Sequence, residues 1–276
     1  VLITLLENTE FGASMEIINN IENLPSFNGC FVDIWGVLYD GKQKTAIADF
    51  LLDSLSKKGK VVLISNSSRT SAEMYDFLYN NNIDLRGVDG IVTSGDLIKS
   101  EIEIQLVNGR KYYIMGTIGE SYWLKKLSQY SVSRINQCDF IITANHIYET
   151  DAELAEKISF IKEKAMKIYS TNPDRFVNLS GFIQKTGGYF CEMARKENIE
   201  IVEYGKPHKK IFTHALSLHG LLANETCMIG DSLETDIKGA QNSGLFSLLV
   251  EGYGLKHEFK EVSKIAPDFL FNFEID

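Results

Sequence analysis

Four short apolar runs among these 276 residues carry or end in side chains able to hold or pass on charge. Cys30–Ile34 contains Asp33, and Val61–Ile64 runs into Ser65 and Asn66. Ile201–Tyr204 leads to Gly205-Lys206-Pro207, and Thr226–Ile229 ends at Gly230-Asp231. Open parallel sheets bind ligands outside the carboxyl ends of their strands. Four such ends side by side would gather two carboxylates, a hydroxyl, an amide and an ammonium. That set suits transfer of a phosphoryl group to a carboxylate, giving an aspartyl-phosphate. A lysine and a hard cation would offset the charge on the phosphoryl oxygens. Mg²⁺ commonly takes one or two carboxylates and keeps water and phosphate oxygens for its other positions. Each piece alone also has a plainer use, because an aspartate after a strand often caps a turn and Gly-Lys-Pro can be a turn with a solvated lysine. The stretch Gly230–Asp236 is the most telling, with a strand feeding a glycine and then Asp231 and Asp236.

The elements that would position these residues follow an α/β rhythm. Short β-branched runs alternate with amphipathic stretches, the pattern of a parallel sheet. A helix with Ile47, Phe50, Leu51 and Leu55 inward is expected after the first strand, stopping near Gly59. Thr70 and Glu73 form a capping box for a helix carrying Met74, Phe77 and Leu78. From about residue 106 the rhythm changes: strands at Tyr112–Met115, Phe140–Ile142 and Lys167–Tyr169 surround a helix with Leu154, Ile158 and Ile161. The reading is α/β: a Rossmann-like parallel-sheet core of residues 15–105 and 201–276, with an inserted α/β cap domain of residues 106–200. Met15 is a candidate start, which makes residues 1–14 an N-terminal extension.

Composition narrows the function. Hydrophobic residues at 44% and charged ones at 24% are ordinary for a globular protein. The formal charge of −9 sets the surface against nucleic-acid phosphates and anionic lipid, so neither nucleic acid nor membrane is an expected partner. Cys30, Cys138, Cys191 and Cys227 are scattered, without a CxxC pair, and read as reduced structural thiols. The first Lys or Arg is Lys42, so a secretory or transit peptide has nothing to build on and a cytoplasmic location is expected. The five histidines are not clustered with cysteines at zinc spacing. Tyr112, Tyr113 and Trp123 read as core of the inserted portion, and His208 as a helix-surface residue.

As an ordered set these motifs resemble the haloacid dehalogenase-like superfamily. Asp33-Ile34-Trp35-Gly36-Val37-Leu38 is similar to its first motif and Ile64-Ser65-Asn66 to its second. Lys206 within Gly205-Lys206-Pro207 is similar to the third, and Gly230-Asp231 through Asp236 to the fourth. The long insertion between the second and third motifs, and the turn Thr171-Asn172-Pro173-Asp174, look like subclass IIA, which includes sugar-phosphate, nucleotide and 4-nitrophenyl phosphatases. The resemblance implies Asp33 as nucleophile and metal ligand, with Asp231 and Asp236 as further carboxylates. It gives the backbone carbonyl of Trp35 to the metal, Ser65 and the amides around Asn66 to the phosphoryl group, and Lys206 to both phosphoryl and nucleophile. The metal expected is Mg²⁺ and the expected partner a small phosphorylated substrate, which the cap is expected to choose through Asn172 and Asp174. Oligomeric state stays open.

One position departs from the family. Its phosphatases carry a second aspartate two residues after the nucleophile, as general acid and base; this sequence has Trp35. An indole cannot exchange a proton with a leaving group. Losing such a group typically slows a reaction by ~10²–10⁴-fold, which implies slow turnover. Two rivals follow. One is a phosphometabolite-binding or regulatory protein that lost turnover; the other is a carboxylate-nucleophile hydrolase attacking a different centre, such as a carbon–halogen bond.

Overall fold

Each strand of the central sheet is short, and the inner ones are buried along nearly their whole length. In a computed structural model that describes residues 15–119, 121–179, 182–251 and 265–272, the strands are β1 (Glu16–Ile18), β2 (Gly29–Val32), β3 (Lys60–Ser65), β4 (Gly90–Thr93), β11 (Thr226–Gly230), β12 (Phe246–Glu251) and β13 (Phe269–Asn272). Their order is β1-β13-β12-β11-β2-β3-β4. The pairs from β1 to β3 are parallel, with Val32 opposite Ile229. Residues 1–14 and His257 lie outside the described residues.

Fully buried strands read as unbroken apolar runs rather than alternating ones, and β2 and β11 do so. The polypeptide leaves β2 for β3 and β4 on one side of the sheet, whereas β11, β12 and β13 fill the other. The order reverses between β2 and β11, the kind of crevice where such sheets bind ligands.

The molecule divides into two units. The first takes residues up to Ile64, Leu78–Ile91 and those from Pro207 on; the second takes Ser65–Phe77 and Val92–Lys206. In the first, helix α1 (Ala48–Ser56) buries Ala48, Leu51, Leu52 and Leu55. The expected inward Phe50 is 47% exposed, because Leu51, Leu52 and Leu55 define the face and Phe50 falls beside it. Helix α2 (Ser71–Asn80) begins with the expected reciprocal cap: Thr70 N–H donates to Glu73 Oε2 at 2.9 Å, and Glu73 N–H to Thr70 Oγ1 at 3.3 Å.

The second unit has its own parallel sheet. It contains β5 (Tyr112–Met115), β6 (Phe140–Thr143), β7 (Ile168–Ser170) and β10 (Ile201–Val202), in the order β10-β7-β6-β5. Between β7 and β10 in sequence, β8 (Phe176–Leu179) and β9 (Phe182–Lys185) form a separate antiparallel pair. Alternation sorts the two faces of the parallel sheet. Phe140 and Ile142 pack with Ile98, Ile102 and Leu106 of helix α3 (Ser94–Val107) and with Tyr112 and Trp123. Ile141 faces the other way, toward Leu154, Ile158 and Ile161 of helix α5 (Asp151–Glu163), with the short helix α4 (Tyr122–Lys126) between in sequence. The expected boundaries at 106 and 200 therefore give way. Helix α3 buries its apolar stripe in this second core, and Ile201–Val202 pairs with Ile168–Tyr169 instead of joining the seven-stranded sheet.

All four cysteines are free and buried, two in each unit. Burial pushes the Cys30 and Cys191 thiols up to about 12 and Cys138 to about 11. Among the described residues, no helix is long and apolar enough to cross a membrane.

Candidate active site

Parallel pairing of β2 with β11 brings the first two aspartates to one level. Asp33 N–H donates to the Ile229 carbonyl at 2.9 Å, extending the ladder one residue past Val32 and setting Asp33 beside Gly230. Asp231 is the next residue, just outside β11. Asp236 comes from the π-helical turn Leu233–Ile237, and its Oδ2 accepts the Ser232 N–H at 3.1 Å. One carboxylate oxygen from each of Asp33, Asp231 and Asp236 lies within 4.8 Å of the others. Asp33 is 6% exposed and Asp236 fully buried.

Two glycines permit this crowding. Gly36 has φ +84°, and a Cβ there would sit 1.8 Å from Asp231 Oδ2. A Cβ on Gly230 would lie 2.2 Å from the Asp236 carboxylate carbon. Backbone takes the space that side chains would occupy, so the carboxylates close on one point. Anions this close repel one another unless a cation lies among them. The donors are all hard oxygens, and Mg²⁺ binds oxygen at about 2.0–2.1 Å, so oxygens bound to one ion span up to about 4.2 Å. The donor set of Asp33, Asp231 and Asp236 is of the kind that would suit a divalent cation.

Trp35 stands in the loop between Asp33 and Gly36. That loop is tied by Gly36 N–H to the Tyr39 carbonyl at 2.8 Å and by Leu38 N–H to the Ile34 carbonyl at 2.9 Å. The indole is half-buried and meets the Tyr39 ring edge-on, with centroids 5.3 Å apart. Asp40, the next carboxylate along in sequence, accepts the Lys42 and Gln43 N–H groups at 2.8 Å each and closes a turn.

The remaining candidates meet in the second unit. Ser65 is fully buried, and its Oγ accepts the Ser67 N–H at 3.2 Å. The Asn66 side chain does not point outward for a ligand. Its Oδ1 accepts the Lys206 N–H at 2.6 Å, while Nδ2 donates to the Lys206 carbonyl at 2.9 Å and to Asp174 Oδ1 at 2.6 Å. Lys206 is 2% exposed. Asn172 is buried too, its Oδ1 accepting the Asp174 N–H at 3.0 Å. The side-chain amide of Asn66 and the Oδ1 atoms of Asn172 and Asp174 thus all have partners within the protein.

Sequence reasoning missed the residues that brace this loop. Ser94 Oγ lies 2.9 Å from Asn66 O and 2.6 Å from Thr171 O, and Trp123 Nε1 donates to Ser68 O at 2.7 Å. A serine opening a helix gives no sign of such a role. Trp123 was legible only as core.

Residues 30–130 match the haloacid dehalogenase-like hydrolase family, and residues 203–272 match a second family of HAD-hydrolase-like domains. The protein belongs to the haloacid dehalogenase-like hydrolases. It is 24% identical over 251 residues to an acid sugar phosphatase of Staphylococcus epidermidis, spanning 89% of this chain and 94% of the relative. It is likewise 24% identical to a 5'-nucleotidase of Bacillus subtilis over 238 residues, 85% of this chain and 91% of that one. A haloacid dehalogenase-like hydrolase from Brucella suis shares the fold with a TM-score of 0.77 at 20% identity, covering 92% of this chain and 98% of its own. A 4-nitrophenylphosphatase of Thermotoga maritima superposes with a TM-score of 0.65 at 22% identity, covering 89% and 94%. The company of sugar and nitrophenyl phosphatases accords with subclass IIA.

Proposed function

We propose that the protein is a Mg²⁺-dependent phosphatase that passes the phosphoryl group of a small metabolite to Asp33 and then to water. The convergence of Asp33, Asp231 and Asp236 within 4.8 Å at the reversal of strand order supports this reading most. When bound, Mg²⁺ would supply positive charge for the phosphoryl oxygens. Asp33 acts as the nucleophile, its backbone anchored to Ile229 and its Oδ1 held by the Ile34 N–H at 2.8 Å, which orients the carboxylate for attack. Asp231 and Asp236 would hold the cation together with Asp33. Lys206 supplies a fixed charge for the developing phosphoryl anion and Ser65 a hydroxyl donor. Substrate choice belongs to the inserted unit, and the buried thiols and acidic surface suit a cytoplasmic protein.

Trp35 sets the rate. Without a general acid, leaving groups that depart unprotonated suffer least, so nitrophenyl and acyl phosphates should outperform alkyl phosphates. Water attacking the aspartyl-phosphate still lacks a base, so the intermediate should accumulate and a burst of product should appear. Trp35→Asp should raise alkyl phosphate turnover about tenfold or more, with a smaller gain for nitrophenyl phosphate. Stopped-flow and steady-state assays with Mg²⁺ decide it. Brisk alkyl phosphate hydrolysis by the wild type, without a burst and unchanged in a folded Trp35→Asp, would overturn this account of position 35.

A second reading rests on the same residue: a phosphometabolite-binding protein that keeps the site but turns over negligibly. Isothermal titration with phosphorylated metabolites in Mg²⁺ would then give binding without product. Attack on a carbon–halogen bond is disfavoured by the paired Asp231 and Asp236, which favour a metal that such a reaction does not need.

A further inference from the structure

The Asn66 amide has one acceptor and two N–H donors, and all three are used on two partners. Its oxygen takes the Lys206 N–H, one Nδ2 proton goes to the Lys206 carbonyl, and the other to Asp174 Oδ1. The three bonds agree on a single orientation of the amide, since turning it over would set Nδ2 against an N–H and Oδ1 against both a carbonyl and a carboxylate. Asn66 and Lys206 are each 2% exposed, so water cannot replace a lost partner at low cost. The pairing spans 140 residues of sequence and fixes both polar groups of one peptide residue, the residue whose ammonium the proposed function uses. Asp174 is held in turn by Asn172 Oδ1 on its N–H, and its backbone carbonyl receives the Gly188 N–H at 3.0 Å.

We infer that Asn66 and Asp174 are positioning residues for Lys206: Asp174 orients the Asn66 amide, and that amide holds the Lys206 backbone in place. The turn Thr171–Asp174 then serves the rate of all substrates alike rather than the choice among them. The inference rests on the phosphatase reading for its kinetic consequence, but not for its structural one.

The test uses the full-length protein and two readouts. In the first, kcat and KM are measured with Mg²⁺ on p-nitrophenyl phosphate and on a sugar phosphate. Asp174→Ala should lower kcat on both by the same factor, tenfold or more, toward the ~10²-fold that misplacing a group by an ångström costs. KM should change less. Asp174→Asn keeps an oxygen to accept from Asn66 and should stay within about threefold of wild type, a rescue that a role through carboxylate charge would not give. In a Lys206→Met background Asp174→Ala should add nothing, because the group being positioned is gone. Additive losses, or losses that differ between the two substrates, would mean that Asp174 touches substrate and would overturn the inference.

In the second readout, hydrogen exchange of the Lys206 N–H is followed by NMR. It should be slow in wild type and Asp174→Asn, and at least tenfold faster in Asp174→Ala. Asp174→Glu, whose carboxylate is displaced by one methylene, serves if the alanine variant does not fold. Unchanged exchange in the folded Asp174→Ala or Asp174→Glu variant would overturn the inference. A wild type that hydrolyses neither ester would remove the phosphatase reading alone, and the exchange result would then decide the positioning claim by itself.

Discussion

The carboxylate cluster of the first unit and the amide–lysine cluster of the second are assembled on opposite plans. Around Asp33, Asp231 and Asp236, glycine backbone leaves room and like charges are brought together, with backbone N–H groups on Asp33 and Asp236 as local support. Around Asn66, every polar atom of the side chain has a partner, and opposite or neutral groups are matched. A group of converging anions is completed by something added to it, whereas a closed hydrogen-bond network is complete already and can only hold its members still. One region is built to receive, the other to position.

The largest break in that contrast should come from Asp231→Asn. Removing one anion from the receiving cluster should cost several kcal/mol of transition-state stabilisation, about 10³-fold in kcat, and should abolish the rise in melting temperature that Mg²⁺ gives. For wild type that rise reflects about 2.7 kcal/mol at a hundredfold excess over Kd. Differential scanning fluorimetry against Mg²⁺ measures it, and an equal shift in the variant would take the cation away from this cluster.

Gly36→Ala should act more gently and by another route. Its methyl would occupy the place of Asp231 Oδ2, at φ +84°, so the carboxylate is displaced but not lost. We expect about a 10²-fold loss at low Mg²⁺ that is partly restored at high Mg²⁺. Loss without any restoration would show that the glycine matters only for its backbone angle.

The smallest effect should come from a cap in the second unit that lies outside the network. Thr150 Oγ1 accepts the Glu153 N–H and Glu153 returns a bond to the Thr150 N–H at the start of α5. Thr150→Ala should cost about 1 kcal/mol in urea unfolding and leave kcat unchanged. A kinetic effect comparable with that of Asp174→Ala would mean that the second unit transmits any local loosening, and that the amide network is not special.

How much of this the sequence carried depends on the kind of signal. Asp33, Asp231 and the strands bearing them were legible because fully buried parallel strands are apolar runs, and a carboxylate at the end of one stands out. The capping box at Thr70 and Glu73 was legible because its two bonds are local. Asn66 was legible as a motif residue, but its side-chain partners were not, since they lie 108 and 140 residues away. Ser94 gave no signal for the same reason. The extent of the insertion was misjudged at both ends, because a two-residue strand such as Ile201–Val202 has no pattern that tells which of two parallel sheets it will join. Helix α3 likewise has a stripe that would suit either core. Glycines 36 and 230 were visible as letters, and what they make room for is a matter of three dimensions.

The buried cysteines give each half of the molecule its own reporter. Cys30 and Cys227 sit on neighbouring strands of the first unit, Cys138 and Cys191 inside the second, all hidden from solvent with thiols that burial keeps protonated. An alkylating reagent needs a thiolate within reach, so modification at neutral pH must wait for the backbone around each sulfur to open. Mass spectrometry of pulse-alkylated protein would read two separate clocks, and their ratio would tell whether the two units come apart as one cooperative event or in succession.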